Sequence, residues 1–183
     1  MLRLRTDRLT VLTRLLGART VAATLAPMAS LILYASKYGA TKSIAERIAA
    51  RLTELGEQVE LKPCAEAPES FAGYERVIVG CSIYVGTWFK DGAVLLRKRG
   101  EDLRQARVWA FSVGGNEALS DDARKAVAEI EPVEHEYFRG VVDHSEVGFV
   151  ERQLIKIVGG TFGDFRDWDA IDAFADRIHA HAA

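Results

Sequence analysis

The stretch "YASKYGATKSIAERIA", Tyr34–Ala49, decides how this chain is read. A strand-like run, Ser30-Leu31-Ile32-Leu33-Tyr34, stops at a turn where two hydroxyl residues bracket a glycine, and a helical pattern begins at once. A strand that passes into a helix through Ser36-Lys37-Tyr38-Gly39-Ala40-Thr41 leaves free backbone amides and the positive end of the helix dipole at one corner. Ser36 and Thr41 add hydroxyl donors there, and Gly39 lets the backbone come close to a ligand. Such a corner suits an anion. The alternative is that Thr41 merely caps the helix, and this loop taken alone leaves both open.

Outward from that corner, strand and helix patterns alternate. Leu31 to Ala35 is apolar throughout, as in a parallel strand buried on both faces. Ile44, Ile48, Leu52 and Leu55 recur at helical spacing until Gly56. Val59 to Leu61 reads as a second strand, Arg76 to Cys81 as a third, Val108 to Val113 as a fourth and Tyr137 to Val142 as a fifth. Helices are expected over Trp88 to Arg104, with Phe89, Val94, Leu95, Leu96 and Leu103 facing inward. Others follow from a Ser120-Asp121-Asp122 cap to about Ile130, around Val150 to Val158, and over Asp167 to His181. The pattern predicts an α/β fold: a doubly wound five-stranded parallel sheet with helices on both faces.

The 183 residues suffice for one domain, and the 27% charged content is that of an ordinary soluble protein. No apolar run is long enough to span a bilayer. Cys64 and Cys81 make no disulfide framework and no C-x-x-C pair, which points to a reducing cytoplasm. Residues 1–27 hold five arginines and one aspartate, a charge of +4. The remaining 19 basic and 25 acidic side chains give −6, and a mildly acidic body argues against a nucleic-acid binder, which would show a clustered basic footprint. We expect residues 1–27 to be an Arg-rich extension, disordered or preceding a true start at Met28, with 28–183 as the domain. A targeting peptide or a docked amphipathic helix are the other readings of that extension.

In a doubly wound sheet, ligands sit beyond the carboxyl ends of the strands. Three loops qualify. The first is Ser36–Thr41. The second, Cys81-Ser82-Ile83-Tyr84-Val85-Gly86-Thr87-Trp88, offers small residues and two aromatics; Tyr84 is the candidate for stacking on a flat ligand, and Trp88 equally suits a place under the next helix. The third, Ser112-Val113-Gly114-Gly115-Asn116-Glu117, allows backbone approach at two glycines and amide contacts at Asn116. Other anion motifs are excluded. Thr41 stands where a Walker A loop needs glycine, no G-x-G-x-x-G follows a strand, neither cysteine precedes an arginine as a phosphatase loop requires, and the third strand ends Gly80-Cys81-Ser82 without a receiver's aspartate.

The first loop resembles the hydroxyl-x-x-Gly-x-Thr loop of flavodoxin-like FMN proteins, position for position. That resemblance implies that Ser36, Lys37, Tyr38, Gly39, Ala40 and Thr41 cradle the FMN phosphate. It further implies that Ser82, Ile83, Tyr84 and Gly86, with Ser112, Val113, Gly114, Gly115 and Asn116, flank the isoalloxazine ring, Tyr84 stacking on it. Within the family, Leu31–Ala49, "YERVIVGCSIYVG" (Tyr74–Gly86) and "RQLIKIVGGTFGDFRDWDAIDAFADRI" (Arg152–Ile178) resemble the menaquinone-dependent protoporphyrinogen dehydrogenase group. The resemblance spans roughly Met28 to His181 and is poor between Gly115 and Phe138, where a substrate-specific insertion would lie.

An FMN-dependent oxidoreductase that oxidises protoporphyrinogen IX or a relative, and passes electrons to a quinone, is thus the leading expectation. An electron-transfer flavodoxin or quinone reductase is one alternative, and a cofactor-free binding module another. The body charge is less negative than a small electron carrier's, which favours the enzyme. The cluster Arg97-Lys98-Arg99 could attract propionates or anionic lipid, and Phe149–Val158 could touch a membrane from the cytoplasmic side. Self-association is left open. No metal site is expected. No general base is assigned: His135, His144, His179 and His181 read as surface residues, and Asp143-His144-Ser145-Glu146 as a solvated loop.

Overall fold

Two apolar layers on either side of one sheet organise the chain, whose computed structural model describes residues 29–142 and 163–181. The elements are β1 (Ala29–Ala35), α1 (Ala40–Glu54), β2 (Val59–Pro63), a 3-10 turn (Cys64–Glu66), β3 (Tyr74–Tyr84), β4 (Thr87–Trp88), α2 (Lys90–Gln105), β5 (Val108–Gly114), α3 (Asp121–Ala128), β6 (Glu134–Arg139), β7 (Val141–Val142), β8 (Gly163–Asp164) and α4 (Trp168–Ala180). The sheet order is β2-β1-β3-β5-β6, all parallel, with β4 folded back antiparallel on β3. The chain leaves β1 to one side for β2 and returns on the other side for β3, so the strand order switches beside β1. In doubly wound sheets the carboxyl edge beside such a switch is the place of the ligand crevice.

The strands are apolar throughout because both faces are covered. On one face Leu31, Leu33, Val77, Val79 and Ala110 meet Leu95 and Leu103 of α2 and Val127 of α3. On the other, Ile32, Ile78, Trp109 and Phe111 meet Ile44, Ile48 and Leu52 of α1 and Ile171, Phe174 and Ile178 of α4. Each such side chain contributes about 1.5–3 kcal/mol on burial. Gly80 is required by this packing: a Cβ there would lie 2.0 Å from Phe111 Cζ on the neighbouring strand.

Helix α4 is tied to α1 by Arg47 Nε on Asp172 Oδ1 (2.7 Å) and Arg51 Nε on Asp176 Oδ1 (2.8 Å). At the amino edge of the sheet, Arg76 is 1% exposed; it donates to Ile178 O (2.7 Å), Glu57 Oε1 (3.2 Å) and Glu75 Oε1 (2.6 Å). Ser30 and His179 complete the set around Glu57. The knot fastens the end of α4 to the sheet far from the crevice.

The predicted architecture and each strand are observed, with shifted bounds. The third strand runs on to Tyr84 rather than ending at Cys81. The fifth runs Glu134–Arg139 rather than Tyr137–Val142: Glu134 and Glu136 are held by Arg177 of α4 (2.8 Å each) rather than by apolar burial, and Val141–Val142 pair separately with β8. No insertion lies between Gly115 and Phe138; that region is an ordinary crossover through α3. The helix expected at Val150–Val158, the amphipathic stretch Phe149–Val158, the loop Asp143–Glu146 and the extension 1–27 lie outside the described residues. Among the described residues no helix is long and apolar enough to cross a membrane.

Candidate functional site

Gly39 takes φ 81°, a left-handed conformation that a side chain would strain, and from there the chain turns directly into α1. No side chain caps the helix, and its first turn holds no acidic residue. Thr41 is therefore not the cap. It lies inside the helix, 0% exposed, and its Oγ1 has no hydrogen-bond partner. Ser36 Oγ and Ser82 Oγ are likewise sealed from solvent without a partner. A buried hydroxyl left unsatisfied costs about 1–3 kcal/mol, so three at one edge of a sheet need a reason. A phosphate-sized anion at the amino end of α1 would supply acceptors for Ser36 and Thr41, together with the dipole's preference for negative charge. The residues present fit a bound phosphate ester.

The second loop is a hairpin. β3 continues through Ser82 and Ile83 to Tyr84, turns at Val85 (φ 50°) and Gly86 (φ 79°), and returns as β4 with Tyr84 opposite Thr87 and Ile83 opposite Trp88. Tyr84 is 38% exposed at its end, and Lys37 Nζ from the first loop stands 3.3 Å from its ring centroid and 4.8 Å from that of Tyr38. The two loops thus form one surface. Ile83 packs against the core beneath it. Trp88 is buried, as its alternative placement under α2 required, and donates Nε1–H to Ser112 Oγ at 2.8 Å.

The third loop is narrower than expected. Ser112 is fully buried, its hydroxyl shared between Trp88 and His135 Nε2 (2.9 Å), and the Val113 side chain belongs to the core. Their side chains face away from the crevice, which leaves Gly114, Gly115 and Asn116 to line it. Gly114 has no room for a side chain, since a Cβ would meet Tyr137 Oη at 2.6 Å. Ser120, the cap of α3, donates to Gly86 O and so latches this loop to the hairpin tip. Gly140, past the end of β6, lies against both Gly114 O and the Ala40 side chain. The first, second and third loops therefore converge.

Several neighbours escaped the sequence. His135 is not a surface residue: burial, with a smaller contribution from Arg124, pushes its pKa down to about 4. The neutral ring shares a hydrogen bond with the Ser112 hydroxyl at Nε2, which accepts when Nδ1 carries the ring proton and donates when Nε2 carries it. Tyr137 donates to Asn116 O (2.9 Å), and burial raises its pKa. Arg166, held by Asp164, reaches Ser43 Oγ (2.8 Å) on the first turns of α1. Starting the strand at Glu134 would have exposed the alternation that puts His135, Tyr137 and Arg139 on one face. Nothing in the sequence announces Arg166.

The basic cluster divides. Arg99 is structural, bound to Asp102, Pro68 O and Glu69 O. Arg97 and Lys98 stay exposed on a cleft of about 580 Å³ between α2 and α3, which Trp88 also lines. Cys64 and Cys81 are free and buried, and burial raises both thiols, Cys64 to about 12. No cluster of metal-ligating side chains occurs among the described residues.

Comparison with known proteins agrees with this geometry. The flavodoxin domain family matches residues 31–167. Among solved structures, the chain is similar to rubredoxin oxygen:oxidoreductase from the anaerobe Desulfovibrio gigas, with 15% identity and a TM-score of 0.59 over 84% of this chain and 35% of that one. It is similar to the flavodoxin of Streptococcus pneumonia TIGR4 (17% identity, TM-score 0.54, 83% of this chain, 98% of that one). Oxidised flavodoxin 1 from Bacillus cereus gives 12% identity and 0.54, over 83% and 97%. The chain spans about a third of the first protein and nearly all of each flavodoxin. At such identities these structures establish the fold alone. No curated protein matches the sequence. With three-quarters of its length matched, the chain belongs to the flavodoxin domain family, whose cofactor is FMN.

Proposed function

We propose that this protein is an FMN-dependent oxidoreductase that takes electrons from a protoporphyrinogen-type substrate and delivers them to a quinone. The observation that carries the flavin chemistry is the set of buried, unpartnered hydroxyls of Ser36, Thr41 and Ser82 around an uncapped helix start. A binding module without cofactor has no use for them.

In this reading the Ser36 and Thr41 hydroxyls and the first amides of α1 hold the phosphate. Tyr84 supports one face of the ring, Ser82 offers a hydroxyl to its polar edge, and the Gly114–Asn116 backbone closes the other side. The flavin supplies hydride or single-electron transfer; the protein fixes its orientation and field. The porphyrin and quinone assignments rest on the resemblance of Leu31–Ala49, Tyr74–Gly86 and Arg152–Ile178 to the protoporphyrinogen dehydrogenase group. Exposed Arg97 and Lys98 beside an open cleft favour an anionic small molecule.

Titration of the purified chain with FMN, followed by flavin fluorescence quenching, tests the first half. A protein that leaves flavin fluorescence unchanged is no flavoprotein. Anaerobic incubation of the holoprotein with protoporphyrinogen and a menaquinone analogue tests the second: porphyrin formation supports the substrate, whereas quinone reduction without it identifies an electron carrier.

A further inference from the structure

Six arginines among the described residues are partly or fully buried: Arg47, Arg51, Arg76, Arg99, Arg139 and Arg166. Five of them pair with carboxylates, Arg47 with Asp172, Arg51 with Asp176, Arg76 with Glu57 and Glu75, Arg99 with Asp102 and Arg166 with Asp164. Arg139 is the exception. Its Nε is sealed from solvent with no hydrogen-bond partner, and its one contact of note is the Phe165 ring, 4.0 Å from the guanidinium carbon. A buried N–H left without a partner is costly, and no carboxylate among the described residues pairs with this half-buried guanidinium.

The position of Arg139 gives the cost a purpose. It pairs in register with Gly114, where the third loop begins. Strand alternation puts Arg139 on the face of His135 and Tyr137, and Tyr137 Oη bonds Asn116 O of that loop. Phe138, on the opposite face, packs with α1 and α4, so the phosphate cradle at the start of α1 is served from the other side of the sheet. Phe165 covers the flat of the guanidinium. A stacked guanidinium keeps its in-plane N–H groups available, the arrangement that takes both oxygens of a carboxylate.

We propose that Arg139 is an anion-recognition residue, binding a carboxylate of the small molecule that exchanges electrons at the ring site. This rests on the ring site proposed above and adds to it the chemical class of the substrate's anchoring group. Arg139 acts by orientation alone: it binds the carboxylate and takes no part in electron transfer.

The test uses a flat carboxylate, 2-naphthoate, and its neutral counterpart 2-naphthamide, titrated calorimetrically into apoprotein and FMN-loaded protein. Wild type should prefer the carboxylate. In Arg139→Gln the naphthoate affinity should fall about ten- to a hundredfold while naphthamide is unchanged, and Arg139→Lys, which keeps charge without the fork, should lie between. Equal affinity of the two probes for wild type, or an unaltered preference in a folded Arg139→Gln, overturns the proposal. So does a variant that loses FMN affinity but keeps the naphthoate preference, which would turn the guanidinium toward the flavin. If Arg139→Gln fails to fold, Arg139→Lys decides, since an undiminished naphthoate preference there removes the bidentate site. Failure to bind FMN would sink the proposed function alone, because the apoprotein arm still reports on Arg139.

Discussion

Replacing Thr41 by valine distinguishes a ligand-binding hydroxyl from a structural one, because the two predict opposite signs. The side chain is 0% exposed, and Oγ1 has no partner. Valine keeps the shape and removes the oxygen. Without FMN the substitution relieves an unsatisfied buried group, and we expect the apoprotein to gain about 1 kcal/mol, at the low end of the cost of such groups. For a domain of this size that is about 2–4 °C in Tm. FMN binding should change the other way. One hydrogen bond to a charged acceptor is worth about 1.5–3 kcal/mol, so the FMN Kd should rise about ten- to a hundredfold. Apoprotein melting and FMN fluorescence titration measure the two halves on the same sample. With excess FMN the Tm order should reverse, since ligand stabilisation follows the ratio of concentration to Kd. An apoprotein destabilised by about 1 kcal/mol with unaltered FMN affinity would identify Thr41 as a helix-start stabiliser and refute the cradle.

Gly80→Ala forces a methyl group against the Phe111 ring and should cost about 1–3 kcal/mol in urea unfolding; Phe111→Leu should recover part of it in the double variant. Val85, 81% exposed with φ 50°, is a β-branched residue in a left-handed turn, so Val85→Asn should stabilise the chain by about 1 kcal/mol. His135 has a folded pKa of about 4 against an ordinary 6.5, so the unfolded chain binds more protons between those values. Stability should therefore fall as pH drops from 6.5 toward 4. At 1.36 kcal/mol per unit the ceiling is about 3 kcal/mol, and partial exposure of the ring reduces it to about 1–2. His135→Gln should flatten that part of the pH profile in denaturant titrations.

The strands and helices were legible because uninterrupted apolar runs and 3.6-residue spacing record burial directly, as in Leu31–Ala35 and Ile44–Leu52. The turn of the first loop was legible because Gly39 stands where a strand pattern hands over to a helix pattern, and there it takes φ 81°. Ser112 and Val113 show where such legibility stops. They precede the glycines in sequence, but strand alternation points one at Trp88 and His135 and the other into the core. Side-chain direction depends on register, and the sequence showed the loop without its register. Arg139 and Arg166 were illegible for another reason. Their roles come from partners far along the chain, Arg139 from Phe165 and Gly114, Arg166 from Ser43.

The hairpin at the end of β3 has a consequence in time. Tyr84 is carried by the same continuous strand that passes Val79 and Gly80 in the centre of the sheet, and Phe89 N–H donates to Ser82 O (2.8 Å) at the base of the return. Amides from Ser82 to Tyr84 should exchange with solvent as slowly as those of the sheet centre, while a free loop would exchange within the dead time of the measurement. In the function proposed above, an aromatic support carried on so rigid a strand would keep its position in either redox state, so that little rearrangement of the protein would accompany each electron passed.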